Sequence, residues 1–152
     1  MNVYLDTSAV IRLYHREAGS DELVTFLRRH ATDLIITVAD ITRTEFHSAF
    51  LRRVRTGEIA LEPVYRVFEV FDHDCNMFHM ISVDDTVKRM AVMLLDHIAP
   101  RQGLRTLDAF QLAAALFCHQ FLQVDTFVTS DHRFLHVAQN YFPVLDPENI
   151  TT

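Results

Sequence analysis

The chain has 152 residues, 49% hydrophobic and 22% charged, with only 3 Gly and 4 Pro. That length and balance predict one globular domain over residues 1–152 and exclude a low-complexity or disordered chain. A formal charge of −6 argues against a general nucleic-acid binder, which is ordinarily basic.

Val3-Tyr4-Leu5 opens the chain as an apolar run that ends in Asp6-Thr7-Ser8, and Ala9 to Tyr14 follows with helical spacing. A short, unbroken apolar run of this kind reads as a parallel strand covered on both faces. Asp6 then stands at its carboxyl mouth, where the functional groups of open α/β sheets collect. After a loop from His15 to Gly19, Ser20 is expected to cap a helix from Asp21 to His30. Leu34 to Val38 reads as a second strand, and Asp40 is expected to cap a long helix from Ile41 to Thr56, stopped by Gly57. Pro63, near a helix start, suits a further helix from Val64 to about Asp72.

Met77 to Val83 reads as a third strand, and Asp84 or Asp85 opens a helix that ends before Pro100. A loop through Gly103 leads to a helix from about Leu107 to His119, with Thr106 as its expected cap. Val124 to Thr129 is the fourth strand, followed by a short helix from Asp131 to about Gln139. Phe142 to Leu145 suits a fifth strand at an edge, because Pro143 removes one ladder donor. Strands alternating with helices predict a parallel α/β sheet with right-handed crossovers.

Asp6, Glu45, Asp108 and Asp131 each fall at or just beyond a passage from strand or loop into helix. In a doubly wound sheet these passages stack along one edge, so the four acids are placed to converge. Converging carboxylates repel unless a hard cation takes them, and Mg²⁺ or Mn²⁺ prefers oxygen ligands. The structural alternatives are a turn residue for Asp6, a helix cap for Asp131, a first-turn acid for Asp108 and a surface residue for Glu45.

Other chemistries lack their residues. There is no Walker loop and no G-x-G-x-x-G, and His132 and His136, at i and i+4, lack the glutamate of H-E-x-x-H. Cys75 and Cys118 show no zinc or redox spacing and read as buried thiols of a reducing compartment. Met1 leads straight into the first strand with no leader pattern, and the apolar runs are too short to span a bilayer, so a cytoplasmic protein is expected. Ser8 and Ser130 have no sequence-evident base to make either a nucleophile. Arg52, Arg53 and Arg55 lie on the helix that carries Glu45; by default they form a solvated helix face, and the arginine fork makes them candidates for meeting phosphates.

Leu5-Asp6-Thr7-Ser8-Ala9, Thr42-Arg43-Thr44-Glu45, the run from Gly103 through Asp108 to Ala113, and Phe127 to Arg133 resemble the PIN-domain family. In particular they resemble the VapC-type ribonuclease toxins of toxin–antitoxin pairs, in order and spacing over nearly the whole chain. The resemblance carries the family's acidic quartet onto Asp6, Glu45, Asp108 and Asp131, with Thr7 and Thr129 as hydroxyl neighbours. It implies a five-stranded parallel sheet in the order 3-2-1-4-5 flanked by helices, Mg²⁺- or Mn²⁺-dependent endoribonuclease activity, a homodimer, and a cognate antitoxin. The antitoxin's tail is expected to lie across the acidic mouth. Gln111 departs from the pattern, standing where a histidine is common. The alternative is a PIN fold that binds without cutting, as a scaffold or a decayed toxin.

Overall fold

The computed structural model describes residues 1–150. The strands are β1 (Asn2–Leu5), β2 (Ile35–Ala39), β3 (His79–Ile81), β4 (Thr126–Val128) and β5 (Val144–Leu145). The helices are α1 (Thr7–Tyr14), α2 (Ser20–Arg29), α3 (Ile41–Arg55), α4 (Leu61–Asp74), α5 (Asp85–Ile98), α6 (Thr106–His119) and α7 (His132–Ala138). All strand pairs are parallel, and the sheet runs β3-β2-β1-β4-β5, as the resemblance implies.

β1 is the central strand and is buried along its whole length. Its side chains alternate between two cores. Val3 and Leu5 join Val10, Leu23, Phe46, Phe50, Phe68 and Phe71 on one face, while Tyr4 joins Leu112, Phe127, Phe134 and Phe142 on the other. Each face is closed by aromatic contacts. Phe46 stacks on Phe71 with centroids 3.9 Å apart, and Tyr4 stacks on Phe127 at 5.0 Å. Burial on both faces is what a continuous apolar run demands.

Three expected caps turn out differently. Gly19, not Ser20, precedes α2, in a left-handed conformation at φ 83°. The Ser20 hydroxyl instead accepts from the Glu17 amide at 3.0 Å, closing the preceding loop. Asp40 stands before α3 but makes no cap, because its own backbone is already helical and its carboxylate cannot turn back onto the first turn. That carboxylate accepts from Val83 N at 3.1 Å and from Ser82 Oγ at 3.0 Å, tying the end of β2 to the end of β3. Thr106 is the first residue of α6, and Arg105 occupies the cap position without a side-chain bond. Pro63 sits within the first turn of α4 rather than before it, where its missing N–H leaves no gap in the helix ladder. β3, β4 and β5 are all shorter than the expected runs Met77–Val83, Val124–Thr129 and Phe142–Leu145. Among the described residues no helix is long and apolar enough to cross a membrane.

Candidate active site

The chain leaves β1 toward one side of the sheet and returns through β4 on the other, so the order reverses between these two neighbours. Turns leaving adjacent strands in opposite directions open a crevice at their carboxyl ends. Here it is a cleft of about 560 Å³. Asp6, Glu45, Asp108 and Asp131 all line it, together with Arg52 and Arg105. Neither histidine nor cysteine is among its lining residues.

Asp6 is 5% exposed and forms the N-cap of α1. Its Oδ1 accepts from Ala9 N at 2.9 Å and from Ser8 Oγ at 2.7 Å, and its Oδ2 accepts from Thr129 Oγ1 at 2.7 Å. Burial pushes the Asp6 carboxyl up from 3.8 to about 6, against the pull of these donors and with a further push from Glu45. Thr129 Oγ1 also accepts from Asp131 N at 3.1 Å, and Ser8 Oγ accepts from Ser130 N at 2.8 Å. The turn after β1 and the turn after β4 are therefore stitched together by hydroxyl groups.

Asp131 caps α7, with Oδ1 accepting from Arg133 N at 2.9 Å and Phe134 N at 3.2 Å, while Oδ2 lies 3.6 Å from Arg105 Nη1. Both readings of this residue hold at once: it is a helix cap and it faces the cleft. Asp108, in the first turn of α6, has its carboxyl raised by burial and then by the neighbouring Asp131 charge, with Arg105 opposing. Glu45 projects from the second turn of α3, and its Oε1 accepts from Thr7 Oγ1 and from Gln111 Nε2, both at 2.8 Å.

The arginines of α3 separate. Arg52 lines the cleft. Arg53 is committed elsewhere: its Nη2 pairs with Glu17, and its Nε lies 3.4 Å from Glu58 Oε1. Arg55 is exposed and is not among the cleft's lining residues. One hundred degrees of rotation per residue separates neighbours on a helix, so a cluster in sequence is not a patch in space.

Two residues at the cleft carry no role in the sequence reading. Arg105 supplies a cation beside Asp108 and Asp131, and its signal was its place three residues before Asp108. Gln111 is buried at 3% exposure and joins Tyr4 to Thr7, Thr42 and Glu45. Its signal was a lone amide within the apolar run Ala109–Cys118.

A PIN-domain family model matches residues 3–140, and the chain belongs to that family. Its fold is similar to that of VapBC2 from Rickettsia felis bound to a DNA fragment from its promoter, at 13% identity and a TM-score of 0.66, covering 96% of this chain and 98% of that one. It is similar to FitAB bound to an IR36 DNA fragment, at 16% identity and a TM-score of 0.69, covering 99% and 98%. A toxin–antitoxin complex from Klebsiella pneumoniae matches at 17% identity and a TM-score of 0.63, covering 97% and 99%. At such identities the likeness is one of fold. No curated protein matches the chain by sequence.

The donor set fits a hard divalent cation. All its ionisable ligands are carboxylates, two of them have proton affinities raised by burial, and no imidazole or thiolate competes. Among the described residues no three acidic, histidine or cysteine side chains stand close enough to enclose one ion.

Proposed function

We propose that this PIN-domain protein is a Mg²⁺- or Mn²⁺-dependent endoribonuclease and the toxin of a toxin–antitoxin pair. The observation that carries the reading is the meeting of Asp6, Glu45, Asp108 and Asp131 in one cleft free of histidine and cysteine, at the carboxyl edge of the sheet. The toxin role rests on the sequence resemblance together with the fold shared with toxin–antitoxin complexes.

In this mechanism Asp6 and Asp108 would hold the cation. Both carboxyls are raised by burial, Asp108 with Arg105 opposing, and no lysine lines the cleft. Asp131 stands behind Arg105 as a further acceptor for metal-bound water, since its Oδ1 is already spent on the α7 cap. Glu45, with its Oε1 taken by Thr7 and Gln111, presents its other oxygen to the cleft to orient the attacking water or to meet a second ion. Thr7 and Thr129 hold Glu45 and Asp6 by their hydroxyls. Arg52 and Arg105 flank the carboxylates and meet the phosphates of RNA on either side. The cation, when bound, lowers the pKa of its water and offsets the charge that grows on the phosphate. The same resemblance implies an antitoxin tail over the cleft and a homodimer of the chain.

The deciding experiment is cleavage of RNA by the purified protein, with and without chelator, beside Asp108→Asn. Asn is near-isosteric and tolerated at this helix start, so the variant should fold and lose at least about a hundredfold in rate. Cleavage that persists in chelator, or in a folded Asp108→Asn protein, refutes the mechanism. RNA binding with no cleavage by the parent under any divalent ion returns the protein to the scaffold reading.

A further inference from the structure

Gln111 lies one turn beyond Asp108 on α6, 3% exposed, with its amide between the sheet core and the cleft. Behind it Tyr4, fully buried, donates from its hydroxyl to Gln111 Oε1 at 2.8 Å. In front, Gln111 Nε2 reaches Glu45 Oε1 at 2.8 Å and the hydroxyls of Thr7 and Thr42 at 3.0 Å each. The orientation of the amide is over-determined. Turned over, it would set its own oxygen against the Glu45 carboxylate and leave the Tyr4 proton without an acceptor in a dry site, two unmet demands at once.

Thr7 Oγ1 donates to the same Glu45 Oε1 at 2.8 Å, so both protein donors converge on one oxygen. Among the described residues no donor reaches Glu45 Oε2. The carboxylate is thereby held by one oxygen and open at the other.

We infer that Gln111, braced by Tyr4, is a positioning residue that clamps Glu45 through Oε1 and so presents Oε2 alone to the cleft. The inference rests on the nuclease reading for its consequence but on the hydrogen bonds for its geometry. A clamped, one-oxygen Glu45 contributes to a divalent ion or its water in a fixed direction; an unclamped one samples rotamers and turns both oxygens to solvent. Tyr4 is not among the cleft's lining residues, and its hydroxyl bonds to Gln111, so it tests the relay from behind.

The test uses the full chain with Gln111→Met, which keeps length and bulk but removes the donor, and Tyr4→Phe, which deletes one buried hydroxyl. Mn²⁺ affinity is measured without RNA, and kcat and KM are measured separately on RNA. Gln111→Met should weaken Mn²⁺ binding and lower kcat about 10- to 100-fold, leaving KM for RNA near the parent value. Tyr4→Phe should give the same pattern more weakly. In a Glu45→Ala background neither substitution should cost anything further, because the clamp then has nothing to hold.

A folded Gln111→Met protein with the parent's Mn²⁺ affinity and kcat, and only a lower melting point, reduces the amide to packing and overturns the inference. Full additivity with Glu45→Ala overturns it as well. If Gln111→Met does not fold, Tyr4→Phe decides by the same readouts. A parent that binds no Mn²⁺ defeats the nuclease reading separately. The clamp is then read by NMR in the metal-free parent, where the Gln111 side-chain amide protons should resist solvent exchange and exchange faster in Glu45→Ala. Unprotected protons in the parent overturn it.

Discussion

At the scale of single residues, Asp6 shows how one carboxylate can be both a structural cap and a cost. Its folded carboxyl titrates near 6 against an ordinary 3.8, so the native state binds its proton more tightly than the unfolded chain does. Below about pH 4 both states are protonated and no penalty exists. As pH rises from about 4 through about 6 the unfolded chain ionises first, and stability falls by something on the order of 3 kcal/mol before levelling off. Asp6→Asn keeps a competent helix cap and removes the charge. Without metal, the variant should melt several degrees above the parent at neutral pH, and the gap should close near pH 4. Saturating Mg²⁺ should raise the parent's melting point more than the variant's, by mass action. Equal metal shifts in the two proteins would remove Asp6 from the ion's surroundings. Arg52 and Arg53 make a second residue-scale contrast. Arg52→Ala should weaken RNA binding and lower the salt slope by about one. Arg53→Ala, which breaks pairs with Glu17 and Glu58, should cost stability instead. If Arg53→Ala weakens RNA binding as much as Arg52→Ala does, the division of the helix face is wrong.

Among the elements, the entrance to α2 is where backbone freedom matters. Gly19 has φ 83°, and a Cβ there would fall 2.6 Å from the Pro147 carbonyl carbon and 2.8 Å from Glu148 N. The short turn Pro147–Asn149 is pressed onto this point and held by the ion pair of Arg12, 9% exposed, with Glu148. Gly57, just past α3, has a similar φ of 76° but open space around it. Gly57→Ala should therefore cost only the left-handed conformation, about 1 kcal/mol. Gly19→Ala must also push rigid backbone aside, and should cost at least about 2 kcal/mol more, read from urea midpoints. Equal costs would mean that the C-terminal turn yields freely.

For the whole molecule, the net charge of −6 and the acidic cleft set what the partner must bring. An inhibiting tail that places an Arg between carboxylates satisfies two of them with one planar fork and needs no metal. A cognate antitoxin with a basic tail should copurify with this chain, abolish RNA cleavage, and compete with Mg²⁺. Replacing the tail's Arg and Lys residues should restore cleavage while leaving the rest of the complex intact. Full inhibition by a tail stripped of basic residues would rule out the plug.

Much of the fold was legible because it follows from local rules. Val3-Tyr4-Leu5 is apolar without a break, as a strand covered on both faces requires, so β1 could be read as a buried parallel strand from its own residues. The strand order came with the family's motifs. The four acids at strand-to-helix passages could be placed near one edge because a parallel sheet gathers those passages there. Caps were less legible: Ser20, Asp40 and Thr106 have the right side chains, but the backbone dihedrals at these positions depend on what packs beside them. Least legible was anything that depends on contact across the chain. Which of Arg52 and Arg53 faces the cleft is a matter of helix rotation, set when Phe46 and Phe50 turn inward. Gln111 gains its meaning from Tyr4, 107 positions away, and from Glu45, 66 positions away. Periodicity sees the neighbours along an element; a buried hydrogen bond between elements exists only once the sheet has brought them together.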